Sequence, residues 1–226
     1  MKKIGFIGAY DKTDLILYVA KILTDTNKKV LVIDTTITQK SRYVVPSIAP
    51  SKCYVTEYEK FDVAIGFNEL EGIKKYLGTE ELQYDIILID IDDNNYFQKF
   101  NMEKATKNYF VTGFDSYSLK KGLEIIGKME DKLLMTKVLF SREMLEEEDD
   151  YLNFLSFYYA VRWENKKIYF PLELGDNSVI IENQRTARIR FKNLSDTYKE
   201  GLFAISEDIL KENKNEIRKI IFKRGE

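Results

Sequence analysis

The sequence predicts an α/β protein with a mostly parallel central sheet covered by helices on both faces. Three observations predict it. Val30-Leu-Val-Ile-Asp34 and Tyr84-Asp-Ile-Ile-Leu-Ile-Asp90 are short, nearly continuous apolar runs, the pattern of strands buried on both faces. Helical-period segments alternate with such runs along the chain. The first strand, helix and second strand together span about thirty residues, which is a βαβ unit with parallel strands.

The elements follow in order. Lys3 to Ile7 reads as a strand, and Thr13 to Thr24 as a helix with Leu15, Ile16, Val19, Ala20 and Leu23 on one face. Lys29 to Asp34 is the second strand. Residues 35 to 60 look irregular, with Pro46 and Pro50 breaking any helix. A strand from Phe61 to Phe67 leads to a helix near Glu69 to Leu77, and Tyr84 to Asp90 is a buried strand ending in an acid. Tyr109 to Thr112 is a strand; Ser116 or Ser118 caps a helix from Leu119 to about Met129. Met135 to Phe140 and Lys167 to Phe170 are strands, with a helix over Tyr151 to Tyr159 between them. Arg188 to Lys192 alternates like a strand but fits a loop equally well. An amphipathic helix from about Tyr198 to Phe222 closes a single domain over residues 1–226.

Composition narrows the chemistry. The 226 residues carry 35 basic and 37 acidic side chains, a net charge of −2, so no global field draws the chain to nucleic acid. The absence of histidine removes Ser-His and Cys-His nucleophile pairs and histidine metal sites. One cysteine, Cys53, allows no internal disulfide. No apolar run approaches the ~18 residues of a membrane span and no signal peptide is recognisable, so a cytoplasmic protein is expected.

In an open parallel sheet, ligands collect at the carboxyl ends of the strands. Three features fall there: the loop Gly8 to Thr13, Asp34 and Asp90. A phosphate site needs backbone that approaches the anion, a lysine, a hydroxyl for Mg²⁺ and a carboxylate behind the metal. Gly8, Lys12, Thr13 and Asp90 are candidates for these four roles, with Thr13 and Asp90 as the metal pair. The competing explanation is that polar residues at strand ends form ordinary turns. Asp92 and Asp93 read best as such a turn, and Glu146 to Asp150 as a solvated helix edge.

The pattern resembles the ParA/MinD family of deviant Walker A ATPases, whose loop reads Lys-Gly-Gly-x-Gly-Lys-Thr. Here the register is Ile7-Gly8-Ala9-Tyr10-Asp11-Lys12-Thr13. Val30 to Asp34 is similar to the family's second strand, and Tyr84 to Asp90 to its Walker B strand. Phe110 to Gly113 with Ser118-Leu119 resembles its next strand and helix, while Val138 to Arg142 and Tyr169 to Pro171 fall at its base-recognition segments. The resemblance runs from about residue 1 to 212. It implies a P-loop architecture in which Gly8, Lys12, Thr13, Asp34 and Asp90 bind Mg-ATP or ADP.

The departures weaken that implication. Ile7 replaces the signature lysine, Ala9 and Asp11 replace glycines, and Ser141 stands where the family has a base-reading asparagine. Asp11 also puts a carboxylate beside the phosphate position. Like charges ~4 Å apart repel by roughly 4 kcal/mol at an effective dielectric near 20. The expectation is therefore weak or absent nucleotide binding and no appreciable ATPase activity. Such a protein would position or scaffold a bacterial secretion, pilus, conjugation or partition assembly, as TadZ and CpaE proteins do in the resembled family. The alternatives are an active Mg-ATP-dependent dimerising switch and a Rossmann dinucleotide protein, in which Asp34 would take the ribose hydroxyls.

Two basic features bear on partners. Arg185, Arg188, Arg190 and Lys192 form a candidate phosphate-contacting group, ranked below a protein partner or homodimer. The tail Asn215 to Glu226, with Ile217, Ile220, Ile221 and Phe222 flanked by Arg218, Lys219, Lys223 and Arg224, is similar to the membrane-targeting helix of MinD. It implies peripheral attachment to the inner membrane face. The competing reading packs the same apolar stripe on the domain.

Overall fold

Eight strands form one sheet with β1 at its centre, and the loops at their carboxyl ends carry the site. The computed structural model describes residues 1–47, 51–127, 132–141 and 146–222. The strands are β1 (Lys2–Ile7), β2 (Val30–Asp34), β3 (Tyr54–Tyr58), β4 (Phe61–Ile65), β5 (Ile86–Ile91), β6 (Lys107–Thr112), β7 (Leu133–Ser141) and β8 (Val161–Pro171). Their order across the sheet is β3-β4-β2-β5-β1-β6-β7-β8, with only the β3–β4 hairpin antiparallel.

The helices are α1 (Thr13–Asp25), α2 (Ser41–Val44), α3 (Leu70–Leu77), α4 (Asn94–Lys99), α5 (Ser116–Ile126), α6 (Glu146–Ser156), α7 (Leu174–Thr186), α8 (Asp196–Leu210) and α9 (Lys214–Phe222). Period-2 alternation along the strands divides the core in two. Val30 and Val32 join the α1, α8 and α9 side, whereas Leu31 and Ile33 join the side covered by α3, α4 and α5. This is the three-layer α/β arrangement that the apolar strands predict.

The order excludes one alternative. In a Rossmann domain the first two strands are neighbours. Here β5 lies between β1 and β2, with Phe6 and Asp34 both in register with Asp90. The insertion sets Asp34 of β2 directly beside Asp90 of β5.

Several expected elements are corrected. Residues 35 to 60 hold α2 and the edge strand β3. Asp115, rather than Ser116 or Ser118, caps α5, its carboxylate accepting the Ser118 N–H at 2.9 Å. Arg188 to Lys192 is loop, preceded by the unanticipated α7. The closing helix is two: Lys211 and Asn213 take positive φ angles of 62° and 64°, a break that ends α8 and lets α9 fold back. Ile217 and Ile221 are thereby buried against the α1–α8 side, with Ile220 and Phe222 packed on it. The stripe read as a lipid-inserting face is spent on the protein's own core. Lys223, Arg224, Pro50, Met129 and Arg142 lie outside the described residues. Among the described residues, no helix is long and apolar enough to cross a membrane.

Candidate functional site

Gly8 fixes the site's geometry. Its φ is 151°, its N–H donates to the Ile91 carbonyl at 3.1 Å, and a Cβ there would lie 2.1 Å from the Val111 carbonyl oxygen. The chain can turn out of β1 between the ends of β5 and β6 only without a side chain. Residues 9 to 11 complete the turn. Lys12 then begins α1, its carbonyl accepting the Ile16 N–H at 3.0 Å.

The turn brings together four of the five expected residues. Lys12 is 3% exposed and folds back, its Nζ donating to the Gly8 carbonyl at 2.8 Å and lying 2.7 Å from Asp90 Oδ1. Asp90 is fully enclosed; burial pushes its carboxyl up to about 7, the Lys12 charge offsetting only part of this and Asp34 adding to it. Thr13 is also buried, and its N–H donates to Asp11 Oδ1 at 3.1 Å.

Asp34 stands apart in role. Its carboxylate accepts from Thr36 N–H at 2.9 Å, Thr36 Oγ1 at 2.6 Å and Ser41 N–H at 3.0 Å. Those bonds organise the turn after β2, leaving the acid as a structural bracket in this conformation. Beside it, Asp92 accepts the Ile37 N–H and Asp93 caps α4 through the Asn95 N–H, the turn chemistry expected of this stretch. Among the described residues there is no cluster of three or more acids or cysteines fit to hold a metal.

The start of α1 already has an anion. An open helix N-terminus attracts phosphate, but here the Asp11 carboxylate is bound to its first N–H. Burial alone would raise the Asp11 pKa; the hydrogen bond and charge of Lys40, then Thr13, win and hold it below the usual range. Lys40 Nζ bridges Asp11 at 2.6 Å and Asp14 at 2.9 Å, and Gln184 binds Asp14 from α7 at 2.8 Å. The sequence offers no signal for Lys40, which arrives from a loop 29 residues away.

Beside this clasp is a cavity of about 370 Å³ between the turn, the ends of β7 and β8, and α7. Tyr10 stacks on Phe140 at 4.8 Å, and Phe140 on Phe170 at 5.0 Å. Ser141 ends β7, where its carbonyl accepts the Leu172 N–H. Arg185, Arg188, Arg190 and Lys192 are exposed at the end of α7 and in the loop beyond it.

Similarity to solved structures decides the fold. A chain of a MinC:MinD cell division protein complex from Aquifex aeolicus matches with a TM-score of 0.62 at 14% identity, over 94% of this chain and 97% of that one. A Borrelia burgdorferi B31 protein described as a plasmid partition protein and bound to AMPPNP matches with a TM-score of 0.61 at 15% identity, over 93% and 98%. The fold is that of the ParA/MinD proteins. A ParA family ATPase from Chlorobium tepidum shares the ParA/MinD fold too, with a TM-score of 0.59 at 12% identity over 89% and 96% of the chains. No protein-family model matches the sequence, and no curated protein sequence does. The turn Gly8 to Thr13 follows β1, and Asp90 lies near the end of β5 beside it.

Proposed function

We propose that this protein uses a ParA/MinD-like domain as a positioning or scaffolding element, with weak or no ATPase activity. One observation carries the reading. The groups that would receive phosphate are engaged internally: the Lys12 ammonium by the Gly8 carbonyl and Asp90, the α1 N-terminus by Asp11. A nucleotide would have to displace a buried ion pair and a carboxylate. Displacing such partners costs several kcal/mol before any phosphate contact is made. Loss of glycines at Ala9 and Asp11 further restricts the turn.

The proposed partner is a protein of a bacterial secretion, pilus, conjugation or partition assembly, docking away from the turn. Homodimerisation fits the same scaffold. A MinC:MinD complex shares the fold, so the fold accommodates a protein partner in that case.

A second reading has an observation in its favour. Gly8, Lys12, Thr13 and Asp90 do converge at one strand end, as an active Mg-ATP switch requires, and an AMPPNP-bound protein shares the fold. Turnover of ATP and solution mass with and without Mg-ATP separate the two. The expected result is no turnover above background and an unchanged mass. Hydrolysis with nucleotide-dependent dimerisation, both abolished in Lys12→Ala, would establish the switch instead.

A further inference from the structure

We infer that the cavity beside the turn is a binding site for an organic cation: an ammonium group carried on an apolar stem. The inference rests on the reading that this cavity no longer serves a nucleotide.

The first support is charge. The walls carry the carboxylates of Asp11, Asp14, Glu173 and Asp176 against one cation, Lys40. A concave, partly enclosed surface lined by one sign of charge concentrates the opposite sign. Phosphate is therefore disfavoured where a cation is drawn in.

The second support is shape. About 370 Å³ lies within the range of small-molecule pockets. Its apolar walls include Leu15, Ile180, Pro171 and the stacked pair Tyr10–Phe140. Aromatic faces beside carboxylates suit an alkylammonium, which buries its stem and keeps its charge paired.

The third support is a buried polar side chain on the wall. Tyr198 lines the cavity at 3% exposure. Burial of the ring and the neighbouring carboxylates raise its pKa well above the ordinary tyrosine value, so the hydroxyl stays neutral. A neutral hydroxyl can accept from an ammonium or donate to a polar atom on the stem.

The protein itself shows how the cation is held. Lys40, partly exposed at the rim, lies between Asp11 and Asp14 at 2.6 and 2.9 Å. An entering ammonium takes this position as the Lys40 side chain swings to solvent. Its stem then lies along Tyr10 and Phe140 towards Tyr198. The same chemistry comes from a free diamine or from a lysine side chain of a bound protein.

Calorimetry on the full chain tests this with four probes: 1,5-diaminopentane, a capped Gly-Lys-Gly peptide, 1,5-pentanediol as the neutral control, and ADP. Lys40→Met removes the internal competitor, and Asp14→Asn removes a cation ligand while keeping its shape. The expected result is that one of the two cations binds about tenfold tighter to Lys40→Met than to the native chain, and about tenfold weaker to Asp14→Asn. Tighter binding of the diamine assigns a free metabolite, and tighter binding of the peptide assigns a protein side chain. Thermal melts confirm that both variants fold. No cation binding to Lys40→Met, no weakening in Asp14→Asn, or equal binding of the diol would overturn the inference while leaving the scaffold reading intact. Micromolar ADP binding would overturn both.

Discussion

Among the described residues, two lysines are buried on carboxylate partners, and they are held very differently. Lys137, in β7, is 1% exposed. Its ammonium is 2.5 Å from Asp149 and 2.6 Å from the Asn153 side-chain oxygen, and it lies 5.2 Å over the Trp163 ring. The other Asp149 oxygen is taken by Lys167. Burial alone would raise the Asp149 pKa, but two cations hold it below the ordinary range. Lys12 has only the Gly8 carbonyl and Asp90, and Asp90 is raised to about 7 because burial and Asp34 outweigh Lys12. The Lys137 cluster is a closed clamp that pins α6 to the sheet. The Lys12 pair has fewer compensating partners than the Lys137 cluster.

The largest effect should come from breaking the closed clamp. Asp149→Ala strands a buried ammonium and should lower stability by about 3–5 kcal/mol in chemical denaturation. A loss below ~1 kcal/mol would mean that Lys137 finds water and the contrast fails.

Next comes the Lys12 pair, whose signature is pH dependence. The folded-state pKa of Asp90 lies above its unfolded value of 3.8, so the folded state binds more protons. That stability is complete below about pH 4 and is lost as pH rises towards 7. Asp92 is raised in the same direction. Asp11 and Asp149, lowered from 3.8, and Glu164, lowered from 4.5, lose their contribution as pH falls below those values, under the pH 5–7 window. Asp90→Asn should flatten the decline in melting temperature between pH 5 and pH 7, each unit of the shift being worth about 1.4 kcal/mol. An unchanged slope would show that Asp90 does not govern it.

Smaller still is the gain expected from Asp11→Gly, which frees the α1 N-terminus and removes a carboxylate already half-neutralised by Lys40. ADP affinity should rise about fivefold to tenfold, with the melting temperature nearly unchanged. No gain would place the obstruction in the turn's geometry instead. Lys167→Ala should cost least, ~0.5 kcal/mol, because Lys167 is partly exposed and Asp149 keeps Lys137.

The same contrast explains what was legible in the sequence. The central strands announce themselves as apolar runs because helices cover both faces. The edge strands do not. β3 has only its end residues buried, and β8 exposes Asn165, Lys166 and Lys167, so neither offers a continuous apolar signal. α7 lacks a clean stripe; Val179, Ile180 and Ile181 are contiguous. Polar anchors hold it instead, Asp176 to Ser195 and Asn183 to Tyr18. At the site, Gly8, Lys12, Thr13 and Asp90 were readable from strand-end position. Lys40 and Asp14 became partners only through the fold. The acidic run read as a solvated edge hides Asp149, one of the most buried acids in the chain. Its two lysine partners lie 12 and 18 residues along, a spacing without helical or strand periodicity.

The turn at the end of β1 is held by its own Lys12–Asp90 and Asp11 contacts, and these should close it to triphosphate. Calorimetric titration of the full chain with ATP in the presence of Mg²⁺ measures this. No micromolar binding to the native chain is expected. Micromolar Mg-ATP binding that disappears in Lys12→Ala would show the turn open.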